Sequence, residues 1–375
     1  MEHLLNIYRL GIKELRSLRR DPMMLMLILY AFSIDVYVAA TGVPETLHKA
    51  PIAVVDEDQS PLANRITSAF YPPHFSRPAM VGLGEADTGM DAGRYTFSLD
   101  IPPNFQRDML AGRHPTLQLN VDATSMTQAF TGGGYIQQIV QGEASDFAAG
   151  TRSSAPSPVD LALRARFNPN LTQSWFTSLM EVINNVTMLS IVLTGAALIR
   201  EREHGTIEHL LVMPVTPLEI MASKVWAMGL VVILACTFAL IVVIQGILHV
   251  PIEGSLALFL LGAGLHLFAT TSIGIFLGTI ARSMPQFGLL LMLVLLPLQV
   301  LSGGMTPRES MPQFVQTVML AAPTTHFVKM AQAVLYRGAG FDVVWPQFLA
   351  IIAIGTIFFA VALTRFRKTI GAMAG

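Results

Sequence analysis

The run from Val225 to Leu248, VWAMGLVVILACTFALIVVIQGIL, contains no Asp, Glu, Lys or Arg. A helix rises about 1.5 Å per residue, so about 20 apolar residues cross the ~30 Å hydrocarbon layer of a bilayer. Working outward, Ser255 to Ala281 and Val343 to Leu363 are equally long and equally free of charge. Met23 to Val43 carries one acid, Asp35, and Trp175 to Ile199 carries one, Glu181. Phe287 to Gly303 is shorter and holds Pro297, which predicts a kinked span. The pattern predicts a membrane all-α bundle of six transmembrane helices, with the fifth the shortest.

Composition agrees. Of 375 residues, 52% are hydrophobic and 13% charged, whereas soluble domains carry roughly 25% charged residues. Mean hydropathy is +0.54. A net charge of −1 argues against a nucleic-acid partner. The single cysteine, Cys236, lies inside an apolar run, has no internal partner for a disulfide, and reads as a packing residue.

Positive charge in short loops sets orientation. With the N-terminus inside, the cytoplasmic segments hold Arg9, Lys13, Arg16, Arg19, Arg20, Arg200, Arg202, Lys224, Arg282, Arg365, Arg367 and Lys368. The opposite short loops hold Arg308, Lys329 and Arg337. Both termini are therefore expected in the cytoplasm. Residues 1–22 read as an interfacial amphipathic helix. Leu4, Tyr8, Ile12, Leu15 and Leu18 recur at helical spacing beside a stripe of Arg9, Lys13, Arg16 and Arg20. The first span, 23–43, is too long for a cleavable signal sequence.

Residues 44–174 break the apolar pattern and are long enough for a core of their own. Ile52 to Val55 reads as a buried strand; Tyr95, Phe97, Leu99 and Ile101 alternate with polar residues and predict a half-buried one. Leu117, Leu119 and Val121 predict another strand, while Ser60 to Tyr71 and Ser125 to Ala149 read as helices. Asn104 is placed to cap a helix ending near Leu110. Asp56, Glu57 and Asp58 read as a loop at a strand end, and Gly150 to Pro158 as a flexible link. An inserted α/β domain on the side opposite the termini follows. Gly132-Gly133-Gly134 lacks the Lys-Ser/Thr of a phosphate loop and predicts a flexible or kinked point in a long helix.

The segment 200–224 lies between spans two and three. Gly205 permits a sharp turn. Thr206 to Met213 then predicts a short helix with Ile207, Leu210 and Leu211 on one face, ended by Pro214. Thr216, Pro217 and Glu219 have the spacing of a capping box with proline at the first helical position. A short amphipathic helix held between two spans suits docking into a partner's groove.

The run Glu201-Arg202-Glu203, Gly205-Thr206, Glu208, Leu210-Leu211, Pro214, Thr216, Glu219-Ile220 and Lys224 resembles the signature of ABC-2 type permeases, the membrane subunits of many bacterial ABC exporters. The resemblance extends over the whole chain. The N-terminal helix, the large domain after span one and the stretch Leu301-Ser302-Gly303-Gly304 to Met311-Pro312 are similar to the subfamily with six spans and a large periplasmic domain. It implies that Glu201, Arg202, Glu203, Gly205, Thr206, Glu208, Leu210 and Leu211 are contact and hinge positions for a separate ABC ATPase. It also implies a second permease half, identical or not, a place in the bacterial inner membrane, and export of drugs, other amphipathic molecules or lipids. A periplasmic membrane-fusion adaptor is a further expected partner.

Leu301-Ser302-Gly303-Gly304 copies the first letters of the ABC ATPase signature, but it ends an apolar span and the chain has no Gly-x-x-x-x-Gly-Lys-Ser/Thr. ATP is therefore expected on the partner subunit, and no cofactor on this chain. Gly303-Gly304 instead predicts a broken backbone before an outer re-entrant segment, 304–342. His204 and His209 are five apart and do not form the His-Glu-x-x-His zinc pattern, so no metal site and no catalytic residue is expected. Polar residues inside spans mark bundle interiors or pathways. Asp35, Asn184, Asn185 and His266 are the candidates for lining a substrate path, against simple interhelical hydrogen bonding. Gly274 and Gly278 predict close helix packing. Mechanotransmission to a periplasmic partner without transport is the competing function.

Overall fold

The first helix, α1 (Glu2–Arg19), buries Leu10, Gly11, Glu14 and Leu18 along one side. Asp21 then accepts a hydrogen bond from the Met24 N–H at 3.1 Å, and Pro22 fills the first helical position. This cap starts α2 (Pro22–Thr41), which widens to a π-helical turn over Ala31–Asp35. The computed structural model describes residues 2–42, 47, 49–122, 126–148, 167, 172–203, 205 and 214–374. The chain divides into two units, Pro44–Arg164 and the rest.

The Pro44–Arg164 unit runs β1 (Ile52–Asp56), α3 (Pro61–Ser68), β2 (Ala79–Met80), α4 (Leu83–Asp91), β3 (Phe97–Ile101), α5 (Phe105–Leu110), β4 (Gln118–Val121) and α6 (Met126–Ala148). The sheet order is β2-β1-β3-β4; β1 is parallel to both neighbours, with Val54 opposite Leu99, and β4 is antiparallel to β3. Alternation predicted β3 as half-buried, yet Ser98 is as enclosed as Phe97 and Leu99. Parallel strands joined through helices are covered on both faces. Ile52, Val54, Leu62, Ile66, Phe75 and Phe97 form the centre of this core.

One local expectation fails here for an identifiable reason. Asn104 sits at the N-cap of α5 in the left-handed region, φ 65°, and makes no side-chain cap. The Asp58 carboxylate takes that role, accepting from the Gln106 N–H at 3.0 Å. The three glycines at 132–134 lie inside the long helix that was expected, α6. Gly132 gives space to Phe97, whose ring would lie 2.2 Å from a Cβ. The link expected at Gly150 to Pro158 lies outside the described residues.

The other unit continues with α7 (Gln173–Glu203), α8 (Pro217–Ile247), α9 (Leu256–Ile280), α10 (Met284–Val300), α11 (Gln313–Met319), α12 (Pro323–Leu335) and α13 (Phe341–Ala374). Among the described residues five helices are long and apolar enough to cross a membrane: α2, α7, α8, α9 and α13. The sixth apolar segment, α10, has 17 residues and contains Pro297, giving about 25 Å of helix. Its continuation is stopped at Leu301, and Gly303 takes φ +97°.

The centre of this unit is α7, whose apolar window is almost wholly buried, while α2 and α13 expose most of theirs. Its closest neighbour is α9. A Cβ on Gly274 would stand 2.7 Å from the Ile191 carbonyl oxygen, and one on Gly278 3.3 Å from that of Gly195. The small residues let the two backbones approach, as their spacing predicted.

Candidate functional site

Glu201, Arg202 and Glu203 end α7, and all three are engaged inside the chain. Glu201 is 9% exposed; its Oε1 accepts from Lys13 Nζ of α1 at 2.6 Å, and its Oε2 lies 2.7 Å from Lys224 Nζ of α8. Lys224 is 1% exposed and also donates to Glu14 Oε1 at 3.0 Å. Two cations and two carboxylates thus fasten three helices together, with little charge left over in a place where an unpaired ion is costly. Arg202 Nη1 donates to the Ala281 carbonyl beyond α9, and Glu203 Oε1 accepts from the Met284 N–H of α10 at 3.1 Å. A carboxylate at that helix start also favours the dipole of α10.

The start of α8 is equally fixed. Thr216 and Glu219 complete the capping box, and Glu219 also accepts from Asn6 Nδ2 at 3.1 Å and meets His3 Nδ1 at 3.0 Å. Trp226 Nε1 donates to the Ile7 carbonyl at 3.1 Å, and its ring lies against Gly11. Between these anchored ends Gly205 takes φ +67° and closes a turn onto the Arg202 carbonyl at 3.2 Å. Thr206, Glu208, Leu210 and Leu211 lie outside the described residues.

Of the residues expected along a path, Asp35 and Asn185 meet directly. Asn185 Nδ2 donates to Asp35 Oδ2 at 2.9 Å and to the Ala31 carbonyl at 2.7 Å. The second bond satisfies a carbonyl at the π turn of α2, where the regular ladder is interrupted. Glu181 reaches Asp35 and Asn184. His266 is apart from this group. Its Nε2 meets Thr187 Oγ1 at 2.9 Å, and its ring stacks on Phe327 at 4.0 Å. Further along α7, Ser190 donates to Thr270 Oγ1 at 2.6 Å. These contacts form a polar row between α7 and its neighbours.

Cavities lie toward the two ends of α7. At the Gln173 end, a cavity of 280 Å³ is walled by Trp175, Phe176, Leu179 and Tyr336, and one of 590 Å³ by Gly303, Arg308, Thr325 and Lys329. Phe176, Gln332 and Arg337 line both. At the Glu203 end, 330 Å³ opens beside Glu14, Ala197 and Glu201, and 550 Å³ among Arg202, Arg282, Arg365 and Lys368.

Residues 22–364 match the family described as ABC-2 family transporter protein. The chain belongs to this ABC-2 transporter family. The inner membrane transport permease YhhJ of Escherichia coli is 64% identical over 374 residues, with 100% of each chain covered. Two more distant relatives from the same organism are the probable multidrug ABC transporter permeases YbhR and YbhS. YbhR is 26% identical over 96% of this chain and 97% of its own length, and YbhS 26% over 88% of each. ABC-2 permeases are non-enzymatic transport components that work with ABC ATPase subunits.

Within this ABC-2 permease, sequence reasoning placed Lys13 and Lys224 among loop charges and passed over Glu14. Glu14 lies on the side of α1 that buries Leu10, Gly11 and Leu18, not on the stripe of Leu4, Tyr8, Ile12 and Leu15, and a carboxylate there needs a buried cation to be tolerated. The engagement of Glu201, Arg202 and Glu203 with three other parts of the chain had no local signature, since each partner is far away in sequence.

Proposed function

We propose that this chain is the membrane half of an ATP-driven exporter, and that the segment around 204–213 receives the ATPase. The observation that carries this reading is the anchoring on both sides of that segment. Lys13, Glu14, Glu201 and Lys224 join the end of α7 to α1 and α8, and the Thr216–Glu219 capping box joins the start of α8 to α1 through His3 and Asn6. A push on the segment is not absorbed by loose ends; it moves α1, α7 and α8 as one piece. In this reading Thr206, Glu208, Leu210 and Leu211 touch the ATPase, Gly205 is the hinge, and Glu201, Arg202 and Glu203 spread the load.

Positive charge supports a cytoplasmic position for both termini and the 204–213 segment. The Gln173 end of α7 and the Pro44–Arg164 unit then face the periplasm, where the unit offers a surface to a membrane-fusion adaptor. A second permease half, identical or related, completes the pathway. The names of YbhR and YbhS favour drugs and similar amphipathic molecules as substrates. The polar row through Asp35, Asn185 and His266 supplies side chains that trade partners when α7 moves.

The test is purification in mild detergent with bound partners, followed by ATPase measurement. An ABC ATPase is expected to accompany the chain, and Glu208→Lys or Leu210→Glu to release it while leaving the permease monodisperse. Absence of the ATPase, or its retention by both variants, overturns the proposal.

A further inference from the structure

The two cavities at the Gln173 end of α7 differ in chemistry and share a wall. One is aromatic: Trp175, Phe176 and Tyr336 surround 280 Å³, with Phe176 and Tyr336 stacked at 5.6 Å. The other, of 590 Å³, presents Arg308, Lys329 and Arg337. The acids nearby are Glu309 on the cationic cavity and Glu253 on the aromatic one, so three cations face two carboxylates. Together the volumes fall in the range of ligand pockets, about 300–1,000 Å³.

The cationic cavity carries further marks of a built site. Thr325, in the first turn of α12, is 2% exposed and its hydroxyl has no partner. Arg308 gives Nη2 to the Gln316 carbonyl at 3.1 Å but keeps a buried Nε without an acceptor. Ala322 at the N-cap of α12 offers no side-chain acceptor to the first-turn N–H groups, which leaves donors and a positive dipole end at the cavity. Unpaired buried donors are rare in folded chains, and each calls for a partner.

We infer that these adjoining cavities bind a single-chain anionic amphiphile, its phosphate-like head against Thr325, Arg308, Lys329 and Arg337 and its tail between Trp175, Phe176 and Tyr336. The head meets charge-assisted donors, which are about twice as strong as neutral ones. The small aromatic cavity suits one chain or one ring system, not the two acyl chains of a bilayer lipid. This deepens the exporter reading and rests on it for the meaning of the site, since it names the class of molecule released at that end of the bundle.

The probe is dodecyl phosphate, added to the purified full-length chain and counted as a bound adduct by native mass spectrometry. One tightly held molecule is expected. Dodecyltrimethylammonium, with the same tail and opposite charge, and inorganic phosphate, with the head alone, should each bind at least tenfold more weakly. Lys329→Gln with Arg337→Gln should weaken dodecyl phosphate about tenfold, and Trp175→Ala about fivefold. Glu309→Gln should tighten it about threefold, a gain that no misfolded variant gives. Thr325→Val should weaken binding without lowering thermal stability, because the hydroxyl it removes is unpaired.

Equal binding of the ammonium probe, or unchanged binding in the double variant, overturns the inference. Tighter, charge-dependent binding of dioleoyl phosphatidylglycerol overturns the single-chain ligand in favour of a bilayer lipid. ATPase capture is measured on the same preparation. Capture without amphiphile binding removes this inference alone, and binding without capture removes the exporter reading alone.

Discussion

Lys224 places an ammonium group where water hardly reaches, and its two carboxylate neighbours make that position tolerable. Replacing one member of a buried ion group strands the others, at a cost of about 3–5 kcal/mol. Lys224→Met is therefore expected to lower the thermal unfolding midpoint of the detergent-solubilised protein sharply. Adding Glu14→Leu should restore much of the loss, since apolar side chains of similar size pack well in such sites. A single variant as stable as the parent shows that the group carries no load. Asp58 makes a second prediction at this scale. Burial pushes its carboxyl pKa up, but hydrogen bonds from the Ser60 side chain and the Gln106, Phe105 and Asn104 backbone outweigh burial and leave it below the ordinary carboxylate value. A depressed folded pKa contributes stability above the unfolded value that is lost as pH falls through the folded one. Hydrogen exchange should show Phe105–Leu110 opening below about pH 4, and Asp58→Asn should remove that acid step by opening the helix already at neutral pH.

Among the helices, glycine decides how closely α7 and α9 pack. A side chain at Gly274 meets the Ile191 backbone, which cannot turn aside. Gly274→Leu should force the helices apart and destabilise by about 1–3 kcal/mol, read as a lower unfolding midpoint and faster proteolysis. Gly288, where a Cβ meets open space, is the control, and Gly288→Ala should be silent. The long helices were legible because an apolar run of about 20 residues has few other fates. The Thr216 capping box and the Gly274–Gly278 approach were legible because each depends on residues within one turn or two of each other. Asn104 misled because a better acceptor, Asp58, arrives from 46 positions away. The grouping of Lys13, Glu14, Glu201 and Lys224 was hidden for the same reason: it exists only once α1 lies against α8. The cavities at the Gln173 end of α7 draw on α7, α12 and the turn at Gly303, and no single stretch announces them.

For the whole molecule, the proposed docking of an ATPase at 204–213 leaves two cases: the segment transmits motion, or it only holds the partner. Gly205 separates the two. Its φ of +67° costs an ordinary L-residue roughly 1–2 kcal/mol, and a β-branched side chain tolerates it least. The Lys13–Glu14–Glu201–Lys224 group and the capping box do not involve this backbone, so the anchors stay intact when it changes. Gly205→Val should therefore leave the ATPase bound and ATP hydrolysis within about twofold of the parent, while transport across reconstituted vesicles falls about tenfold, because the turn no longer aligns the segment with α7. Gly205→Asn is the matched control, since asparagine enters the left-handed region several-fold more readily than other side chains. It should recover most of the transport. A valine variant that transports as well as the parent would mean that the turn passes no force. The buried ion group would then be a fastening for the fold alone, and the path from ATP to the substrate would have to run through another contact.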